Sequence, residues 1–133
     1  MACCWAHVRR KFFDAQQNHY AGAEMFLTLI RQLYQIEATA KTRSEAKFTE
    51  TALYNERKIA RRDSAKIVKE FFDVCEKTAT TEIPSSLLGK AANYALKLRV
   101  ELSNFLSNPK LNIDNNPALS PALENPQVLR IPA

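Results

Sequence analysis

The sequence predicts an all-α protein: a helical bundle of four to five helices, followed by an irregular Pro-rich C-terminal tail. Three observations carry that prediction. Only two glycines occur in 133 residues, whereas sheet folds consume glycine and Asn-Gly pairs in their turns. Apolar residues recur at the i, i+3, i+4 spacing of a one-faced helix through most of the chain. The composition, 46% apolar and 25% charged, is that of a globular protein, and the length suits one domain.

The first helix is predicted from about Cys4 to Gln17, with Trp5, Val8, Phe12 and Ala15 on one face. Periodicity then fails across Gln16–Tyr20, and Gly22 marks a turn or a weak point. A second helix is expected from Ala23 to about Lys41, with a stripe of Phe26, Leu29, Ile30, Leu33 and Ile36. Tyr34 is placed at the edge of that stripe with its hydroxyl in water. Ser44 reads as the cap of a long helical region from Glu45 to about Lys77, breakable at Asp63-Ser64. Its apolar face is Ile67, Phe71 and Val74, and Lys58, Arg62, Lys66 and Lys69 share another side. Pro84 disfavours helix at Ile83. Ser85 or Ser86 caps a last helix from Leu87 to about Leu106, ended by Asn108-Pro109. Leu111–Ile113 is short and extended, and Asp114-Asn115-Asn116 has turn chemistry. Pro117–Ala133 carries four prolines and no apolar period, which predicts the irregular tail. The expected division is therefore a helical unit over 1–116 and a tail over 117–133.

Three cysteines, Cys3, Cys4 and Cys75, form neither a disulfide framework nor a zinc spacing, and point to the reducing cytoplasm. The segment before His7 lacks the pattern of a secretory signal. The longest apolar run, Met25–Ile30, is interrupted by Thr28 and is far short of the roughly 20 residues that span a bilayer.

A net charge of +5 fits a polyanionic partner without requiring one. Two basic segments give that partner an address. Arg9, Arg10 and Lys11 surround the apolar face of the first helix, beside His7. Arg57–Lys69 holds six cations against Asp63, though Glu50, Glu56, Glu70 and Asp73 flank it and can pair with it. His7, Arg9, Arg10, Lys11, Arg61, Arg62 and Lys90 are the DNA-contact candidates. The bland alternative is a partly exposed histidine and solvated helix faces. No nucleophile motif appears. Leu88-Gly89-Lys90 has too few glycines for a phosphate loop, and neither histidine has acids at metal-ligand spacing, so no metal or cofactor site is assigned.

Three passages carry a resemblance: Cys4-Trp5-Ala6-His7-Val8-Arg9-Arg10-Lys11-Phe12-Phe13-Asp14-Ala15, Leu87-Leu88-Gly89-Lys90-Ala91-Ala92-Asn93-Tyr94-Ala95-Leu96, and Ile113-Asp114-Asn115-Asn116. In this order the chain resembles the transposases of the insertion-sequence-66 class, and Leu33–Glu37 adds a weaker match. Trp5, Gly89, Tyr94, Asp114, Asn115 and Asn116 are the motif residues. The resemblance implies a larger enzyme with a ribonuclease-H-like core. There, two aspartates and a glutamate hold two divalent metals, magnesium being expected, for attack on a DNA phosphodiester. The second aspartate precedes the Trp-Ala-His passage, the glutamate follows Asp-Asn-Asn, and a helical insert lies between them.

This chain departs from that pattern at the acids. It starts after the second aspartate, and Leu119-Ser120 stand where the family has Glu-Arg. Glu124 is five residues later, turned by about 140° on a helix, and flanked by Pro121 and Pro126. The tail resembles out-of-frame translation. The expectation is therefore a transposase fragment without the catalytic triad: no catalytic residue, no cofactor of its own, and DNA contacts at most. The alternatives are a helical module pairing with an intact transposase or with itself, or a relic of a decayed element. Helices that pack on an absent core are expected to expose apolar surface, Trp5 and Phe12 among it.

Overall fold

A computed structural model describes residues 4–18 and 21–114. Gln16–Asn18 and Ala21–Gly22 border the expected first turn. His19 and Tyr20, and the expectations for Asn115, Asn116, Leu119, Ser120, Glu124 and the tail, lie outside the described residues. Five helices follow one another, and no strand occurs among the described residues: α1 (Trp5–Gln17), α2 (Ala23–Glu45), α3 (Ala52–Thr81), α4 (Leu87–Lys97) and α5 (Arg99–Ser107). The all-α expectation holds.

α1 buries the predicted face, Trp5, Val8, Phe12 and Ala15. Trp5 and Phe12 are fully buried, which corrects the expectation that they would be exposed. The reason is that helices from this same chain cover them. Trp5 meets Phe71 edge-on at 4.9 Å, and Phe12 stacks on Phe26 at 4.2 Å. These rings and Phe72 form the centre of the core, with favourable offset and T-shaped geometry.

Helix boundaries differ from expectation at several places. α2 runs through Ser44, whose hydroxyl donates to the Lys41 carbonyl at 2.7 Å instead of capping a new helix. α3 starts only at Ala52, after a connector tied by the Lys47–Glu56 ion pair. It passes Asp63-Ser64 without a break, because Ser64 is buried against the neighbouring helix layer while Asp63 faces outward. It also continues to Thr81, where the Thr80 and Thr81 hydroxyls donate back to Lys77 and Thr78 carbonyls. It then ends with Glu82 in extended backbone, before Ile83-Pro84.

The predicted helix over 87–106 is instead two helices. Leu98, at φ −103° and ψ 19°, closes α4 and opens α5. The turn lets Leu102 and Phe105 reach the core while Arg99 bonds Glu76 at 2.7 Å and lies over the Phe72 ring. Ser86 caps α4 by accepting from the Gly89 amide at 3.0 Å.

Candidate nucleic-acid interface

The described residues of all three motif passages meet at α1. The Trp5 indole donates to the Leu102 carbonyl at 2.9 Å, fixing the start of α1 against α5. Cys4 offers no side-chain cap. Asp114, about a hundred residues away in sequence, takes that role: its Oδ1 accepts from the Ala6 amide at 3.1 Å and from the Tyr34 hydroxyl at 2.6 Å. A carboxylate at a helix N-terminus also complements the helix dipole. Tyr34, expected to be wet, is thus half-buried and bonded. Its pKa is pushed up, first by burial and then by the Asp114 hydrogen bond and charge.

The segment that carries Asp114 is held by a buried ionic cluster. Arg61 bonds both Glu37 carboxylate oxygens, at 2.9 and 2.7 Å. It also donates to the carbonyls of Phe105, Asn108 and Leu111 at 2.9, 3.1 and 2.7 Å. Arg57 reaches the Pro109 carbonyl at 3.1 Å and lies beside Glu37. Burial and the adjacent Arg61 charge lower the Arg57 pKa, against the pull of Glu37. Arg61 is buried, with its donors committed inside the fold. It stands apart from the other DNA-contact candidates, which are exposed.

α1 and α4 bring several of those candidates together. The Lys11 ammonium sits 4.5 Å from the Tyr94 ring centroid. Lys90, Tyr94 and Lys97 occur at helical spacing and share one side of α4. Arg10 lies alongside on α1, in an exposed pair with Asp14 at 3.6 Å, an interaction worth little in water. His7 is exposed, with Nδ1 3.2 Å from the Cys4 sulfur. Arg9 is exposed on another side of α1, over Phe13. Arg62 belongs to the separate α3 stripe of Lys58, Lys66 and Lys69, where Lys69 pairs with Asp73 at 3.0 Å.

Gly89 supports this junction. A Cβ there would lie 2.4 Å from the Ile83 carbonyl oxygen, so the connector approaches α4 more closely than any other residue permits. No group of three or more His, Cys, Asp or Glu among the described residues could hold a metal ion. Asp114, the carboxylate of the last motif passage, already uses Oδ1 on Ala6 and Tyr34. Among the described residues, therefore, no set fits the metal pair of the resembled enzymes. No described helix is long and apolar enough to cross a membrane.

The family profile described as Transposase IS66 family matches residues 1–119. The chain belongs to the IS66 transposase family. It is also 29% identical over 120 residues to the uncharacterized protein y4qI of Sinorhizobium fredii (strain NBRC 101917 / NGR234). That match covers 87% of this chain and 20% of the relative, so the chain spans about a fifth of the relative's length. No solved structure matches.

Neither the Arg61 cluster nor the Asp114 clasp was anticipated. A signal for the first was present. Arg61 continues the α3 stripe of Ser64, Val68, Phe71 and Cys75 at helical spacing, so its burial could have been read from the same period.

Proposed function

We propose that this IS66-family chain is the helical insert of the transposase and that it contributes DNA-backbone contacts, not phosphodiester chemistry. The observation that carries this reading is the convergence of the motif passages at α1. α1 starts at the junction of Trp5, Leu102 and Asp114; Lys11, Arg10 and His7 stand exposed along it, and Lys90 and Lys97 stand exposed on α4, which packs against it. In the resembled enzymes the acids lie just outside the first and last passages. The closeness of the first and last passages supports a role for the exposed cations of α1 and α4 beside such acids in the full transposase. Arg61 has no part in this surface, and Arg62 supplies a second, more peripheral stripe.

Phosphate binding of this kind is electrostatic and releases counterions. The affinity of the chain for a DNA duplex should fall steeply between about 50 and 200 mM salt. Replacing Arg10, Lys11 and Lys90 by glutamine should weaken binding and reduce the salt slope by roughly one unit for each phosphate that is no longer neutralised. Fluorescence anisotropy across a salt series measures both. A flat response to salt overturns the proposal. For the chemistry, the expected result is no metal-dependent strand transfer by the purified chain, and detecting it would refute the second half of the reading.

A further inference from the structure

A second feature of α1 lies on the Arg9 side. Between α1 and α2 is a cleft of about 340 Å³, lined by Arg9, Phe13, Gln16, Leu27, Thr28 and Arg31, with Glu24 in its wall. Phe13 is 37% exposed and contributes nothing to the buried core. The Arg9 guanidinium stands 6.0 Å from its ring centroid. Arg31 donates to the Thr28 hydroxyl at 3.4 Å. Neither Arg9 nor Arg31 has a salt bridge among the described residues.

We infer that this cleft receives one unpaired nucleotide at the end of a DNA duplex, its base against the Phe13 ring and its phosphate on Arg9 and Arg31. The inference rests on the DNA reading above and assigns it a specific ligand. The cleft has the size of a small-molecule site, about 300 Å³ or more. An exposed aromatic face with adjacent guanidiniums is the combination that holds single-stranded nucleic acid: the ring stacks on a base and the cations neutralise the backbone. A paired base inside a duplex has both faces covered, so only an unpaired one can present a face to Phe13. An exposed cation–π interaction is weak, so the base displaces Arg9, which turns to the phosphate. Glu24 disfavours an anion deep in the cleft and accepts from an exocyclic amino group, as Gln16 also can. That orients the base inward and the phosphate outward, and it favours adenine or cytosine over thymine.

The test uses the whole chain and two duplexes: one blunt, and one ending in a single unpaired 2-aminopurine, a fluorescent adenine analogue. The overhang duplex should bind about tenfold tighter, in line with one stacked base, and its fluorescence should be quenched. Phe13→Ala should abolish the preference and the quenching while leaving blunt-duplex affinity unchanged; Phe13→Trp should retain both. Arg31→Gln should reduce the preference. Thermal unfolding at the wild-type temperature certifies that the Phe13→Ala protein is folded. Equal, salt-dependent binding of the two duplexes overturns the cleft assignment and leaves the general DNA reading standing. A preference that survives Phe13→Ala likewise overturns it. No binding of either duplex at low salt overturns both.

Discussion

Arg61 and Arg62 are adjacent cations with opposite fates, and the difference is one helical step. Arg61 faces the core stripe, meets Glu37 through two hydrogen bonds and satisfies three carbonyls. Arg62 faces solvent. Removing one member of a buried ion pair leaves the other charge uncompensated, at a cost of about 3–5 kcal/mol. Arg61→Leu should therefore destabilise the chain by about that amount in urea unfolding followed by circular dichroism, whereas Arg62→Leu should change stability by less than about 0.5 kcal/mol. Charge reversal at Arg61 would consequently report folding, and only reversal at exposed positions can report DNA binding. Cys75 is a second buried group with a measurable consequence. Burial pushes its thiol up from 9.0 to about 12. The folded state therefore holds a proton that the unfolded state loses first, and stability falls as pH rises. The stability that the buried thiol contributes should be intact below pH 9.0 and lost progressively toward about pH 12. Cys75→Ala should flatten this decline in unfolding curves taken across that window, while the raised Tyr34 hydroxyl adds a decline of the same sign.

At the level of elements, α4 is held by its entry. Ser86 caps it, and Gly89 lets the Ile83 carbonyl approach within its first turn. Alanine is the better helix former by about 1 kcal/mol. Here the Cβ would meet main chain at 2.4 Å, which a rotamer change cannot relieve. The steric effect wins, and Gly89→Ala should lower stability by about 1–3 kcal/mol, read as a drop in unfolding midpoint. The existence of α1, α2 and α4 and the buried face of α1 were legible in the sequence, because each rests on a strong local period. The helix ends were not legible in the same way. Ser44, Thr80 and Thr81 could cap or back-bond equally well by their local chemistry; Ser44 is buried, so packing decides there, while the exposed Thr80 and Thr81 back-bond locally. The break at Leu98 carries no glycine or proline; it exists because Leu102 and Phe105 must turn inward. The basic residues were legible as candidates, but the approach of Lys11 to Tyr94 depends on how α1 packs against α4, which no single-helix period contains.

For the whole molecule, the relevant fact is that residues about a hundred positions apart share one small polar site. Asp114 closes the fold by bonding Ala6 and Tyr34, and the Arg57–Arg61–Glu37 cluster holds the backbone that delivers it. These are different kinds of restraint. The ionic cluster is largely buried and is expected to open only with global unfolding, while the Asp114 bonds lie nearer the surface and are expected to open locally. Asp114→Ala should therefore separate them. It removes the cap on α1 and leaves the half-buried Tyr34 hydroxyl without its acceptor, a loss of about 1–3 kcal/mol confined to this corner. Amide hydrogen exchange should quicken at Ala6, His7 and residues 112–114, while the middle of α3 exchanges as slowly as before. The Tyr34 hydroxyl should also titrate lower than in the wild type, yet remain above an ordinary tyrosine, because burial is the larger cause of its shift. Faster exchange spreading evenly through α2 and α3 would instead mean that Asp114 is integral to the core and that the two ends of this helical unit cannot move independently of it.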